Sequence, residues 1–251
     1  MNPKNEVMKQ LKERKSVRVF TEREIDKEIV QEILEAAVNA PTAGNQQLYS
    51  ILRITDPELL HALSESCDHQ PFIAEAKLVL IFCADCLKWY TAFQAAGAEP
   101  RLPGEGDLLL AVSDANIAAQ NAVTAAWSYG IGSCYIGDIM ENIETQRRLL
   151  NLPDYVFPAA MLVFGYPTEQ QQNRTKPERV AMQYIVSENG YHTMSADELK
   201  EMFAPRTAGK TYEEWMRAFC ERKYNSDFSK EMTRSVRAYL AQYQLENGRG
   251  E

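Results

Sequence analysis

The sequence lacks any long apolar run: no stretch approaches the ~20 consecutive apolar residues a membrane-spanning helix needs. Its first residues, Met1-Asn2-Pro3-Lys4-Asn5-Glu6, are polar and lead into an amphipathic pattern, unlike the apolar core of a signal peptide. The expected location is therefore the cytoplasm, with no membrane partner. Cysteine is sparse and odd in number (Cys67, Cys83, Cys86, Cys134, Cys220), which without export argues against a disulfide framework and for reduced thiols. The sequon Asn173-Arg174-Thr175 has no meaning in such a setting. The three histidines, His61, His69 and His192, are scattered, and no second cysteine pair accompanies Cys83-Ala84-Asp85-Cys86, so no metal is expected. A G-x-S-x-G elbow, a P-loop and H-E-x-x-H are all missing, which excludes hydrolases and phosphotransferases of those types. Positive charge is in deficit too, 27 Lys and Arg against 35 Asp and Glu, for a formal net charge of -8. That field repels nucleic acid and anionic membranes, so a local basic cluster needs a local reason.

Two such clusters are present. Arg14-Lys15-Ser16-Val17-Arg18-Val19-Phe20 follows a short amphipathic helix. In an extended backbone Arg14, Ser16 and Arg18 share one face, while Val17 and Val19 pack inward. Guanidinium forks and a hydroxyl are the donors a phosphomonoester needs; the alternative is a solvated charge run. The second cluster, Lys176-Pro177-Glu178-Arg179, lies in a loop and has the same alternative.

At 45% hydrophobic residues, the 251-residue chain can bury a sizeable core. Apolar spacing predicts a helix from Pro3 to about Glu13 and a second from Asp26 to the approach of Pro41, followed by the polar loop Pro41-Thr42-Ala43-Gly44-Asn45-Gln46-Gln47. Strands are expected over Leu48 to Thr55, Lys77 to Cys83, Ser133 to Ile136, Ala159 to Phe164 and Met182 to Val186. Helices are expected over Asp56 to Ser64, Leu108 to Tyr129, Ile143 to Leu150 and through Ser195 to Gln244. The alanine-rich Leu108 to Tyr129 segment is apolar on most faces, as in a helix buried on nearly every side. Gly130 and Gly132 read as a helix cap and a tight turn, since they follow a helix and open a strand, the reverse of a dinucleotide fingerprint. Gly137 sits where a strand yields to a helix, so its amide and that of Asp138 can approach a flat ligand. No linker demands separate domains, and residues 1–251 are taken as one. Cys83 and Cys86 could form a redox dithiol, or Cys83 could be a small hydrophobe of a buried strand.

Taken together, Arg14-x-Ser16-x-Arg18, Ala40-Pro41-Thr42-x-x-Asn45-x-Gln47, Tyr135-Ile136-Gly137 and the Lys176/Arg179 loop resemble the FMN-dependent nitroreductase family throughout the chain. The likeness to its NADPH-preferring, oxygen-insensitive nitroreductase and flavin reductase branch rests on Phe82-Cys83-Ala84-Asp85, Ala118-Ala119-Gln120-Asn121, Leu149-Leu150-x-Leu152-Pro153 and Ser187-Glu188-Asn189-Gly190-Tyr191. The resemblance implies an α+β fold, with a mixed central sheet around the long helix, in an intertwined homodimer binding one FMN per subunit. Residues 195–251 would form a helical extension wrapping the partner. It implies that Arg14, Ser16 and Arg18, with Lys15 beside them, hold the FMN phosphate and ribityl chain together with Lys176 and Arg179. Thr42, Ala43 and Asn45 would meet the flavin from the partner subunit, Gln70 would bond the ring system, and the backbone of Tyr135, Ile136, Gly137 and Asp138 would line it. Where this branch often has a histidine, a serine-rich loop and a second glycine, the chain has Arg14, Pro41 to Gln47 and Asp138. The implied activity is ping-pong hydride transfer from NAD(P)H to a nitroaromatic, a quinone or free flavin. No protein residue would act as catalyst, because the flavin carries the reaction. Arg222 and Lys223 are candidates for a pyridine-nucleotide phosphate, against a solvated helix end. The alternatives are a dehalogenase or azo reductase on the same fold, or a thiol-redox protein using Cys83 and Cys86.

Overall fold

Side-chain caps fix the starts of the first and third helices. In the computed structural model, which describes residues 5–243, the Asn5 side chain accepts from the amides of Val7 and Met8 (2.9 and 3.4 Å) and opens α1 (Glu6–Glu13). Pro3 lies outside the described residues. After α2 (Lys27–Val38) and β1 (Tyr49–Ile54), Asp56 caps α3 (Pro57–Ser66) by accepting from Glu58 at 3.0 Å, with Pro57 at the first helical position. There follow β2 (Leu78–Asp85), α4 (Leu87–Ala95), α5 (Glu105–Ser128), β3 (Gly132–Ile136), α6 (Ile143–Leu150), β4 (Val156–Gly165) and α7 (Glu169–Asn173). The α4 helix has no clean apolar period and the sequence does not announce it.

One compact unit comprises the described residues up to Arg174 together with Glu231 onward. Its sheet runs β1-β2-β4-β3, antiparallel at every pair. The mixture expected of it comes down to one parallel bridge, Ser16 with Ser133. The strands β2 and β4 are buried along their whole length, as continuous apolar runs require. Leu80, Phe82 and Ala84 face a core built with α2 and α5, while Val79, Ile81 and Cys83 face a second core with Leu63, Ile73, Ile139 and Leu152. Along α5, Ala111, Ala115, Ala118, Ala119, Ala122 and Ala126 are buried, and small side chains let the helix lie close to its neighbours. Its other side, with Leu109, Leu110 and Ile117, is exposed in the single chain, Leu109 by 68%. Past α5, Gly130 takes φ +73° and the amides of Gly130 and Ile131 bond the carbonyls of Trp127 and Ala126, the glycine-ended helix stop that the sequence predicts.

The second unit, Thr175–Lys230, contains α8 (Ala196–Phe203) and α9 (Tyr212–Lys223), with Ser195 and Thr211 as capping boxes. Phe203, Trp215 and Phe219 stack in sequence, with ring centroids 5.8 and 5.0 Å apart. The strand expected over Met182 to Val186 is instead a 3₁₀ turn, Met182–Tyr184. No strand among the described residues of this unit can pair with it, and Met182 is 76% exposed. The last helix, α10 (Asp227–Leu240), begins in this unit and from Glu231 belongs to the first. There Ser235 Oγ accepts from the Ile143 amide at 3.2 Å, and Tyr239 packs on Phe157.

Candidate functional site

The basic segment is fastened across the end of the sheet. The Val17 amide donates to the Ser133 carbonyl at 2.9 Å, and Val17 is fully buried over Gly132. The Thr21 amide donates to Tyr166 at 2.8 Å, and Phe20 pairs with Pro167 and packs on Gly165. The inward alternation therefore fails at Val19, which is exposed. Once the segment leaves β3 to meet Pro167, Phe20 takes the inward place. Gly132 likewise is no turn residue: it is the first residue of β3, pressed by Val17.

Arg14, Ser16 and Arg18 do share a face, around Cys134. Burial pushes that thiol up, while the guanidiniums of Arg18 and Arg14 and the Ser16 hydroxyl pull against it. The Arg14 guanidinium carbon lies 6.0 Å from the Tyr135 ring centroid, and burial pushes the Tyr135 phenol up to about 12, against the pull of Arg14. Lys15, on the opposite face, donates to the carbonyls of Gln172 (2.6 Å) and Arg174 (2.5 Å), which α7 leaves unpaired at its end. That contact brings Arg174 alongside, where its Nη2 donates to the Ser16 carbonyl. Arg174 is absent from the sequence-based site, although it stands only two residues before Lys176, the start of the second basic cluster.

At the far end of β3, Ile136 is buried and Gly137 has nothing within 4 Å of where a Cβ would stand. Asp138 and Gln70 belong to this end. The Gln70 side chain donates to the Cys67 carbonyl at 2.7 Å, bracing a turn in which Asp68 and His69 have φ of +61° and +50°. Cys67 and Asp68 lie close to Asp138 and Glu141. Glu141 is only 7% exposed and its Oε1 has no hydrogen-bond partner. Burial, and then Asp138, Asp68 and Glu231, raise its pKa to about 7 from 4.5. The folded chain thus holds a proton that the unfolded chain loses between pH about 4.5 and 7, and stability falls across that window. Glu141→Gln is expected to stabilise the protein by roughly 1–3 kcal/mol at pH 8 and by little at pH 4, as read from thermal midpoints.

The Pro41 to Gln47 loop hangs from α5. Asp114 accepts from the Thr42 hydroxyl and from the amides of Ala43 (3.0 Å) and Leu48 (3.2 Å), and Trp89 Nε1 donates to the Gln46 carbonyl at 2.7 Å. Asn45 is exposed. Thr42 and Ala43 bond Asp114 of α5 rather than the basic segment of the same chain. The link is α5, which carries Asp114 at one level and, about 9 Å further along, Gln120 on the Tyr135 hydroxyl (3.4 Å). In the second unit Lys176 is half-buried and Arg179 exposed; Arg222 and Lys223 are exposed in the last turn of α9, where cations favour the helix end. Cys83 and Cys86 are buried on opposite sides of the sheet, in the two different cores. Burial raises their thiols to about 12 and about 11. That arrangement gives no dithiol.

The model of the nitroreductase family matches residues 11–166. A Cr(VI) reductase of Pseudomonas sp. (strain G-1) is 33% identical over 189 residues, 75% of this chain and 76% of that protein. An FMN reductase (NAD(P)H) of Bacillus subtilis (strain 168) is 29% identical over 237 residues, 94% of this chain and 91% of that one. Among solved structures, the NADPH:FMN oxidoreductase of Vibrio harveyi in complex with NAD+ has a TM-score of 0.80 at 24% identity, covering 94% of this chain and 98% of that chain, a likeness of fold.

Proposed function

Because this chain belongs to the nitroreductase family, we propose that it is an FMN-dependent NAD(P)H oxidoreductase whose acceptor is a nitroaromatic, a quinone or free flavin. The observation that carries this reading is the gathering of Arg14, Ser16 and Arg18 on one face beside Cys134, on a chain of net charge -8. The residues fit the group. Ser16 lies beside Ser133, and from there to Gly137 is four residues of strand, roughly 13 Å, of the order of the distance from the phosphate of FMN to its ring. Donors for an anion stand at one end of that span, and open backbone for a flat ring stands at the other. When bound, FMN would supply the redox chemistry of a ping-pong hydride transfer between NAD(P)H and the acceptor.

The chain's own residues bind and orient. Arg14, Ser16 and Arg18 hold the phosphate, with Arg174 behind them, and Lys15 ties α7 in place. The backbone from Tyr135 to Asp138 lines the ring, and Gln70 braces that end. Lys176 and Arg179 are assigned to the flavin as well, and Arg222 and Lys223 to the phosphate of the pyridine nucleotide. Thr42, Ala43 and Asn45 come from a second copy of the chain. The exposed Leu109, Leu110 and Ile117 of α5, with Val7, Met8 and Leu11 of α1 packed beside it, support a homodimer, since an apolar face of that kind calls for a partner. In that dimer the whole chain acts as one domain, and the helices from Ser195 wrap the partner. Residues 244–251, part of the expected extension, lie outside the described ones. The reading places the protein in the cytoplasm, which keeps its five cysteines reduced.

The test is the visible spectrum of the purified protein, supplied with FMN, before and after anaerobic NADPH. Bleaching, followed by recovery of colour with a nitroaromatic, a quinone, free flavin or chromate, supports the function and names the acceptor. A colourless chain that does not take up FMN would contradict it.

A further inference from the structure

We propose that Asp114 is a positioning residue, which holds the Thr42 to Leu48 loop in the shape that presents Asn45 to the flavin. It follows that Thr42 and the Ala43 amide serve the loop and leave Asn45 as the contact. This rests on the FMN reading above.

Asp114 is 3% exposed and sits on the alanine face of α5, a register otherwise filled by small apolar residues. A carboxylate there is costly to bury unless donors meet it. The donors all come from one loop: Oδ2 accepts from the Thr42 hydroxyl, Leu48 (3.2 Å) and Ala43 (3.3 Å), and Oδ1 from Ala43 (3.0 Å). Thr42 Oγ1 in turn accepts from the Gln47 amide at 2.8 Å. Its single proton and a lone pair are therefore both engaged, and the Ala43 amide has no second proton to give. Between these anchors Gly44, Asn45 and Gln47 take φ of +56°, +57° and +51°, a conformation that side-chain-bearing residues avoid unless their surroundings impose it. Asp114 from below and Trp89 at Gln46 impose it. The residue left outward at the apex is Asn45, with an amide side chain able both to donate and to accept.

The experiment uses the full chain without added flavin, then titrated with FMN. Asp114→Asn replaces one acceptor oxygen with an amino group facing N–H donors. It is expected to weaken FMN binding about 10- to 100-fold and to speed hydrogen exchange at the Ala43 and Leu48 amides, with β2 and β4 amides unchanged. Thr42→Val on top of Asp114→Asn should add little, because both act through one network. Asn45→Ala should weaken FMN binding while leaving Ala43 and Leu48 protected. Asp114→Asn that loosens the loop and binds FMN like the parent would overturn the proposal, as would a Thr42→Val effect that adds in full. Should Asp114→Asn not fold, Asn45→Ala decides: parental affinity there sinks the idea. A parent chain that binds no FMN would instead sink the functional reading itself.

Discussion

Arg18→Ala is expected to weaken FMN binding by about 2–4 kcal/mol, roughly 30- to 1,000-fold, while its thermal midpoint stays with the parent's. The Arg18 side chain is exposed, and the segment's backbone is held by Val17 and Thr21, so the fold does not depend on its guanidinium. What is lost is a charge-assisted fork on a phosphate, beside Arg14 and Ser16 on the face around Cys134. Arg18→Lys should recover part of the affinity, since it restores the charge without the fork. Equal FMN affinity in Arg18→Ala and the parent, measured by titration of the flavin-free protein, would place the phosphate elsewhere.

The second large effect lies in packing. In Gly132→Ala the new methyl would stand 2.5 Å from Val17 Cγ2 and 2.7 Å from its Cβ. Val17 is β-branched, fully buried and bonded through its amide to Ser133, so it has no rotamer to escape into. A destabilisation of about 3 kcal/mol is expected, together with loss of FMN binding at temperatures where the variant is still folded. The strip that must shift carries Arg14, Ser16 and Arg18. Val17→Ala in the Gly132→Ala background should return only part of both, because its Cβ still stands 2.7 Å from the new methyl. A Gly132→Ala protein that melts and binds like the parent would show that this contact does not seat the basic segment.

Much of this was legible in the sequence where local chemistry decides. The continuous apolar runs of β2 and β4, the helix start at Asp56-Pro57 and the stop at Gly130 follow from residue type and spacing. So does the shared face of Arg14, Ser16 and Arg18. What escaped depends on partners distant in the chain. Val19 yields its inward place to Phe20 because the segment leaves β3 for Pro167. Gly132 is a glycine because Val17, 115 positions earlier, presses on it. Met182 to Val186 has strand-forming residues but no strand among the described residues of its unit to pair with. Asp114 did leave a signal, a lone carboxylate on an alanine face, yet only the folded loop reveals what it holds. Arg174 needed Lys15 to bring it beside Ser16.

The grip of the basic segment on the phosphate of FMN is measured by comparing the dissociation constants of FMN and riboflavin for the flavin-free protein at fixed ionic strength. The two ligands differ only in the phosphate. FMN is expected to bind at least about 100-fold more tightly, and Arg18→Ala to remove most of that ratio. Equal affinity for the two would contradict it.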